Sequence, residues 1–215
     1  WVEDYGGQMS ENDPKVSPKR KDRSQQIKEV ARRLFREKGF DNVTMREIAR
    51  EIGIGVNVIY RNTESKSAVL ADILKDYIQM EISVLSEMPT PKGSPLNQIM
   101  TYLEKLYELD LDDFEIRRLG VALSWSWGSK RDAEFEELIG LELFSSINRA
   151  LDKVGCALNY DARWAVWAIY TEGLRRVGME GSVHEGSKNL KIANAQDCAK
   201  KIRPQIQFII DAVSA

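Results

Sequence analysis

Apolar residues recur at three- and four-residue intervals through most of the chain and nowhere alternate with a period of two, so the pattern predicts helices and no sheet. Ile27, Val30, Ala31, Leu34 and Phe35 form one stripe and predict a helix over about 24 to 38, stopped by Gly39, after which Phe40 folds back. Met45, Ile48, Ala49 and Ile52 repeat the stripe, so these two helices can pack face to face and hold a third. A long connecting helix follows from a cap at Ser65, with Val69, Leu70, Ile73, Leu74, Tyr77, Ile78, Ile82 and Leu85 at helical spacing. The run from Met88 to Pro95 breaks it, with Ser94 as cap and Pro95 as first helical residue of the next element. Further helices are predicted over 95–110, 113–128, 132–154, 161–178 and 195–213, the last with Pro204 inside it as an expected kink.

The stretch VTMREIAREIGIGVNVIYRNTESK, from Val43 to Lys66, carries the clearest functional signal. Thr44 and Glu47 make the Thr-x-x-Glu box that starts a helix sharply. Gly53 can take the left-handed conformation that ends it, and Gly55 lets the chain turn again. A second short helix then runs over about 56 to 62. Two helices across a tight glycine turn form a helix-turn-helix, whose second helix is suited to the major groove of DNA. The fold class expected is therefore all-α: a three-helix head over 24–66 joined to a helical body over 67–215. Residues 1–23 read as a disordered arm ending in the basic run Lys19, Arg20, Lys21, Arg23. Trp1 is not an initiator methionine, and Met9 is one candidate start.

Charge sharpens this picture. The whole chain carries −2, yet residues 15–66 hold fourteen Lys and Arg against seven Asp and Glu, about +7, leaving the remainder acidic. Such a local excess can pair with phosphates, or it can be a solvated basic surface. No apolar run reaches the roughly 18 residues of a membrane span, and WVEDYGGQ lacks the basic-then-apolar order of a signal peptide. A cytoplasmic protein is expected. Two cysteines, Cys156 and Cys198, with no C-x-x-C pair, and the single His184 in a loop over 180–194, leave no metal site and no cofactor to predict. Gly53-x-Gly55 follows a helix and lacks the third glycine of a dinucleotide fingerprint, and no phosphate-binding G-x-x-x-x-G-K-[ST] is present. An enzyme is not expected.

In the body, Trp125, Trp127, Phe144, Trp164, Trp167 and Tyr170 are either core or the lining of a cavity for an apolar or aromatic ligand. Glu172 and Arg175 either orient that ligand or pair with each other at i, i+3. Asp110, Asp112, Asp113 and Glu115 read as a solvated helix start rather than a cation site. Ile202, Ile206, Ile209, Ile210 and Val213 form a stripe broad enough for a subunit interface, with Trp164 and Trp167 as anchors.

The run from Ile27 to Leu70 resembles the tetracycline-repressor (TetR) family of bacterial transcription regulators. The matching features are Ala31, Phe35, Gly39-Phe40, Thr44, Ile48-Ala49, Gly53, Ile59-Tyr60 and Lys66. The resemblance implies a homodimer, paired through its last two helices, that binds a palindromic double-stranded operator as a repressor and is released by a small-molecule effector. It also implies phosphate contacts by Thr44 and Lys66 and a backbone contact by Tyr60. Arg46, Asn57 and Arg61 are added from chemistry, because Arg and Asn make bidentate contacts to base edges. Ligand contacts are expected from Trp125, Phe144, Trp167, Tyr170, Glu172 and Arg175. Three positions depart from the family pattern: Gly55 replaces a capping Ser or Thr, Val58 a phosphate-binding hydroxyl, and Thr63 an aromatic. The alternative is a TetR-like helical ligand- or protein-binding partner that has lost DNA binding.

Overall fold

The computed structural model describes residues 18–124, 129–182 and 194–214. Residues 1–17 of the arm expected over 1–23, together with Trp125, Trp127 and His184, lie outside them. The described residues are helical throughout. The head comprises α1 (Pro18–Lys38), α2 (Met45–Ile52) and α3 (Val56–Tyr60); α4 (Lys66–Glu87) leads into a body of α5 (Pro95–Leu111), α6 (Phe114–Ser124), α7 (Ser129–Glu136), α8 (Phe144–Asp152), α9 (Tyr160–Ser182) and α10 (Ala195–Ser214).

Local chemistry sets the element ends. Thr44 caps α2 by accepting from the Glu47 amide at 3.2 Å, and Ser65 and Ser94 cap α4 and α5 in the same way. Gly53 ends α2 at φ 77°, a conformation that a side chain would strain. Helix α1 begins at Pro18, so the basic run assigned to an arm is the first part of a helix. Proline suits that first position because the amide it lacks has no partner in the first turn. The single helix predicted over 132–154 is instead α7 and α8 joined end to end by a π-helical segment, Glu137–Leu143. Periodicity near 3.6 does not reveal such a segment, which shifts the register of the buried face. Helix α10 runs through Pro204; the exposed surroundings of Lys200 leave water to satisfy the carbonyl that proline cannot.

Helix α1 packs on α2 and α4, and its far face reaches α6; α10 packs on α5 and α9; α4 runs against the π-helical segment. The core is continuous from Ile27, Leu34 and Ile59 in the head to Leu103, Ile147 and Ile206 in the body. The stripe Ile202, Ile206, Ile209 and Ile210 is buried inside the protomer rather than offered to a partner. The outward side of α10 carries Phe208 instead, 75% exposed.

Gly120 fixes how closely α6 approaches α4. A Cβ there would lie 2.4 Å from Cδ1 of Leu74. Replacement by alanine must therefore displace the buried Leu74, and Gly120→Ala is expected to lower stability by about 1–3 kcal/mol in urea unfolding.

Candidate nucleic-acid interface and effector cavity

In the head, burial of Ile59 anchors α3 against α1 and α2 and leaves Asn57, Tyr60 and Arg61 exposed. Positions 57, 60 and 61 stand at i, i+3 and i+4, so they share one side of the short helix and its end. Arg46, also exposed, lies on α2. Several of the head's cations are already paired: Arg33 with Glu37 and Glu51, Lys38 with Glu47, Lys28 with Asp76. Among the described residues Arg46 and Arg61 have no such partner, so their charge is available to an anion. Thr44 uses one lone pair in its cap and keeps its hydroxyl hydrogen for another acceptor.

Lys66 is placed differently from the expectation. Its ammonium donates to the carbonyls of Phe40 and, at 2.9 Å, Val43, with Asp41 at 3.4 Å, and sits 4.2 Å from the centre of the Phe40 ring. Its donors are committed to tying the turn between α1 and α2 to the start of α4. Gly55 supplies α3 with no side-chain cap. Asn62 compensates at the other end by donating to the Val58 carbonyl at 2.6 Å.

The body encloses a cavity of about 630 Å³ between α4, α6, α7, the π-helical segment and α9. Leu74, Ile78, Phe135, Ile139, Trp164 and Trp167 supply its apolar wall. Of the expected ligand residues, Trp167 lines it. Tyr170 stands behind the wall, stacked on Trp167 with ring centres 5.4 Å apart. Phe144 is packed in the core away from the cavity. Glu172 and Arg175 pair with each other at 2.6 Å, as the second of their two readings had it, and Arg176 joins them at 3.0 Å. These arginines hold the Glu172 carboxyl down at about 2. Glu172 and Arg176 border a smaller depression of about 330 Å³ between α9 and α10.

The polar end of the main cavity was not foreseen. Arg117 on α6 lies between Glu81 of α4, at 2.6 Å, and Asp110 of α5, with which its Nε forms an ion pair. Both carboxylates are 1% exposed. The Tyr170 hydroxyl donates to Asp110 at 2.6 Å, and the Tyr107 hydroxyl donates to the Tyr170 carbonyl at 2.9 Å. Asp113, also buried, accepts from Arg36 of α1 and from the Tyr77 hydroxyl of α4. The Tyr77 ring in turn lies 5.5 Å from the Arg117 guanidinium carbon. Two members of the expected solvated acidic cluster, Asp110 and Asp113, are therefore buried ion-pair partners, while Asp112 and Glu115 are exposed as expected. Helical spacing could have flagged position 110 as facing inward, but nothing local names its partner. One arginine cannot neutralise two carboxylates in a dry site. Burial pushes the Glu81 carboxyl well above its ordinary range, with Arg117 opposing the shift and the Asp110 charge adding to it. Among the described residues, no group of His, Cys, Asp and Glu is arranged to hold a metal.

Residues 27–73 match the family model described as bacterial regulatory proteins, tetR family. Over that stretch the chain is similar to the TetR family. An HTH-type transcriptional regulator of Staphylococcus aureus (strain USA300) is 28% identical over 93 residues, covering 43% of this chain and 50% of the relative. The chain thus spans about half the length of the curated relatives it matches. Among solved structures, a putative TetR-family regulator from Syntrophomonas wolfei superposes with a TM-score of 0.64 at 19% identity, over 89% of this chain and 96% of that one. The Thermus thermophilus repressor FadR, in complex with lauroyl-CoA, does so at 0.61 and 16%, over 87% and 93%. At these identities the likeness is one of fold, in the helical head and the helical body. Among the described residues no helix is long and apolar enough to cross a membrane.

Removing the Arg117 guanidinium leaves Asp110 and Glu81 buried without their cation, and Arg117→Ala is expected to cost about 3–5 kcal/mol in urea unfolding. Glu81 gives a separate expectation. Because its folded value is raised, its proton favours the folded state fully below the ordinary value of 4.5, and that contribution is lost as pH rises through the folded value. Unfolding midpoints measured from pH 4.5 upward should therefore decline less steeply in Glu81→Gln than in the wild type.

Proposed function

We propose that the protein is a DNA-binding transcriptional repressor that leaves a palindromic operator when a small apolar or aromatic effector enters the cavity of the body. The observation that carries this is the pair of unpaired head cations, Arg46 and Arg61, beside the exposed Asn57 and Tyr60 on a helix-turn-helix. In this reading Asn57 and Arg61 reach base edges, Arg46 and Thr44 hold phosphates, and Tyr60 lies along the backbone. Lys66 acts from within, fixing the turn that positions α2 and α3, in place of the phosphate contact that the family pattern implies. Two copies paired through α9 and α10, with Phe208 among the apolar groups between them, would present two heads to successive major grooves.

Coupling between cavity and head has a physical route in this reading. Arg117 borders the cavity, Tyr77 and Asp113 adjoin it, and Arg36 of the head closes on Asp113. An effector that favours one placement of α6 shifts the pairing of Arg36, and with it the head. Arg36→Ala should leave effector binding intact while reducing the effect of effector on DNA affinity.

The second reading, a TetR-like partner that no longer binds DNA, is favoured by one feature: α3 spans only Val56–Tyr60 and has no side-chain cap at Gly55. A lost cap is worth about 1 kcal/mol. Gel shifts with DNA flanking the protein's own gene separate the two readings. Specific binding by the wild type, with a steep fall of affinity as salt rises and loss in Arg46→Ala/Arg61→Ala, is the expected result. Absence of binding at low salt, with or without apolar ligands, would favour the second reading.

A further inference from the structure

The main cavity combines apolar and aromatic walls with a charge imbalance. Among the described residues, the charged groups that line it are Asp110, Asp132 and Glu136 against Arg117. Arg117 is already engaged by Asp110 on one side and by Glu81 behind the wall on the other. The buried group is therefore one positive charge short. Among the described residues the cation paired with Glu81 is Arg117; Tyr170 and Asp110 are linked to the same group, and Arg36 is held by Asp113.

We propose that the cavity is a site for a lipophilic cation, an organic ammonium or similar ion whose apolar body lies against Trp164, Trp167 and Phe135 and whose charge sits beside Asp110. This rests on the reading of the cavity as the effector site and narrows the effector's class. A bound cation supplies the missing charge at Asp110 and Glu81, and the indole faces of Trp164 and Trp167 favour it further. Asp132 and Glu136, both exposed at the mouth, draw cations toward the opening. An anionic ligand is disfavoured by the three acids of the lining, and Arg117 already has its Nε and one terminal nitrogen engaged by Asp110 and Glu81.

The test compares two probes of nearly equal size and shape but opposite charge, tetraphenylphosphonium and tetraphenylborate, with the smaller neutral triphenylmethanol as a third. Each is titrated calorimetrically into the full-length protein. The expected result is that the phosphonium binds at least about tenfold more tightly than the borate and the neutral alcohol, and that Asp110→Asn narrows this preference. Should that variant not fold, Asp132→Asn/Glu136→Gln, which alters only exposed groups at the mouth, must narrow it in the same direction. Equal or tighter binding of the borate or the alcohol overturns the cation assignment while leaving the cavity as a ligand site. Binding of none of the three overturns both. A phosphonium preference unchanged in every variant that folds also overturns the assignment, because the charge would then be recognised elsewhere.

Discussion

Arg117 has two buried carboxylates to satisfy and one charge with which to do it. Its guanidinium donates to Glu81 and forms an ion pair with Asp110 through Nε at the same time. The carboxylates come from α4 and α5, and the arginine from α6, so the charge group pins three helices at one point of the body. Tyr170 adds α9 through Asp110, and Tyr107 reaches the backbone of α9 from α5. Apolar packing alone would leave these helices free to slide by fractions of a turn at little cost; a buried charge with fixed partners does not permit that. The cavity owes its shape to this constraint, since α4, α6 and α9 are three of its walls.

A second acidic residue extends the same logic to the head. Asp113 sits at the start of α6 and receives Arg36 from α1 and Tyr77 from α4. The head's own core, built around Ile27, Leu34, Ile48 and Ile59, is small, and it gains its orientation from α4 and from this pairing. A group of about fifty residues is near the lower limit for an independent fold. Head and body therefore share a continuous core and a continuous set of charges, and a movement of α6 reaches both.

The sequence was most legible where the causes are local. The Thr44 cap, the Gly53 stop and the stripes of the first helices depend on residues a few positions apart, and each is where the pattern predicts it. The body helices were also readable, apart from the π-helical segment Glu137–Leu143, which a helical period does not announce. The cavity was legible only in part. Trp164 and Trp167 line it, but which face of α9 turns toward α4 depends on packing that spans the whole chain. The charge group was not legible at all: Arg36 meets Asp113 across 77 positions and Arg117 meets Glu81 across 36. Acidic residues at a helix start are ordinarily solvated, and only tertiary burial separates Asp110 and Asp113 from Asp112 and Glu115.

The stripe of α10 has a thermodynamic consequence. Because Ile202, Ile206, Ile209 and Ile210 are buried against the protomer's own α5 and α9, separation of two copies would not open the core. Folding and association are then distinct equilibria rather than one. Dilution would yield folded single chains whose stability is independent of protein concentration, in contrast to an obligate dimer, where the two cannot be told apart.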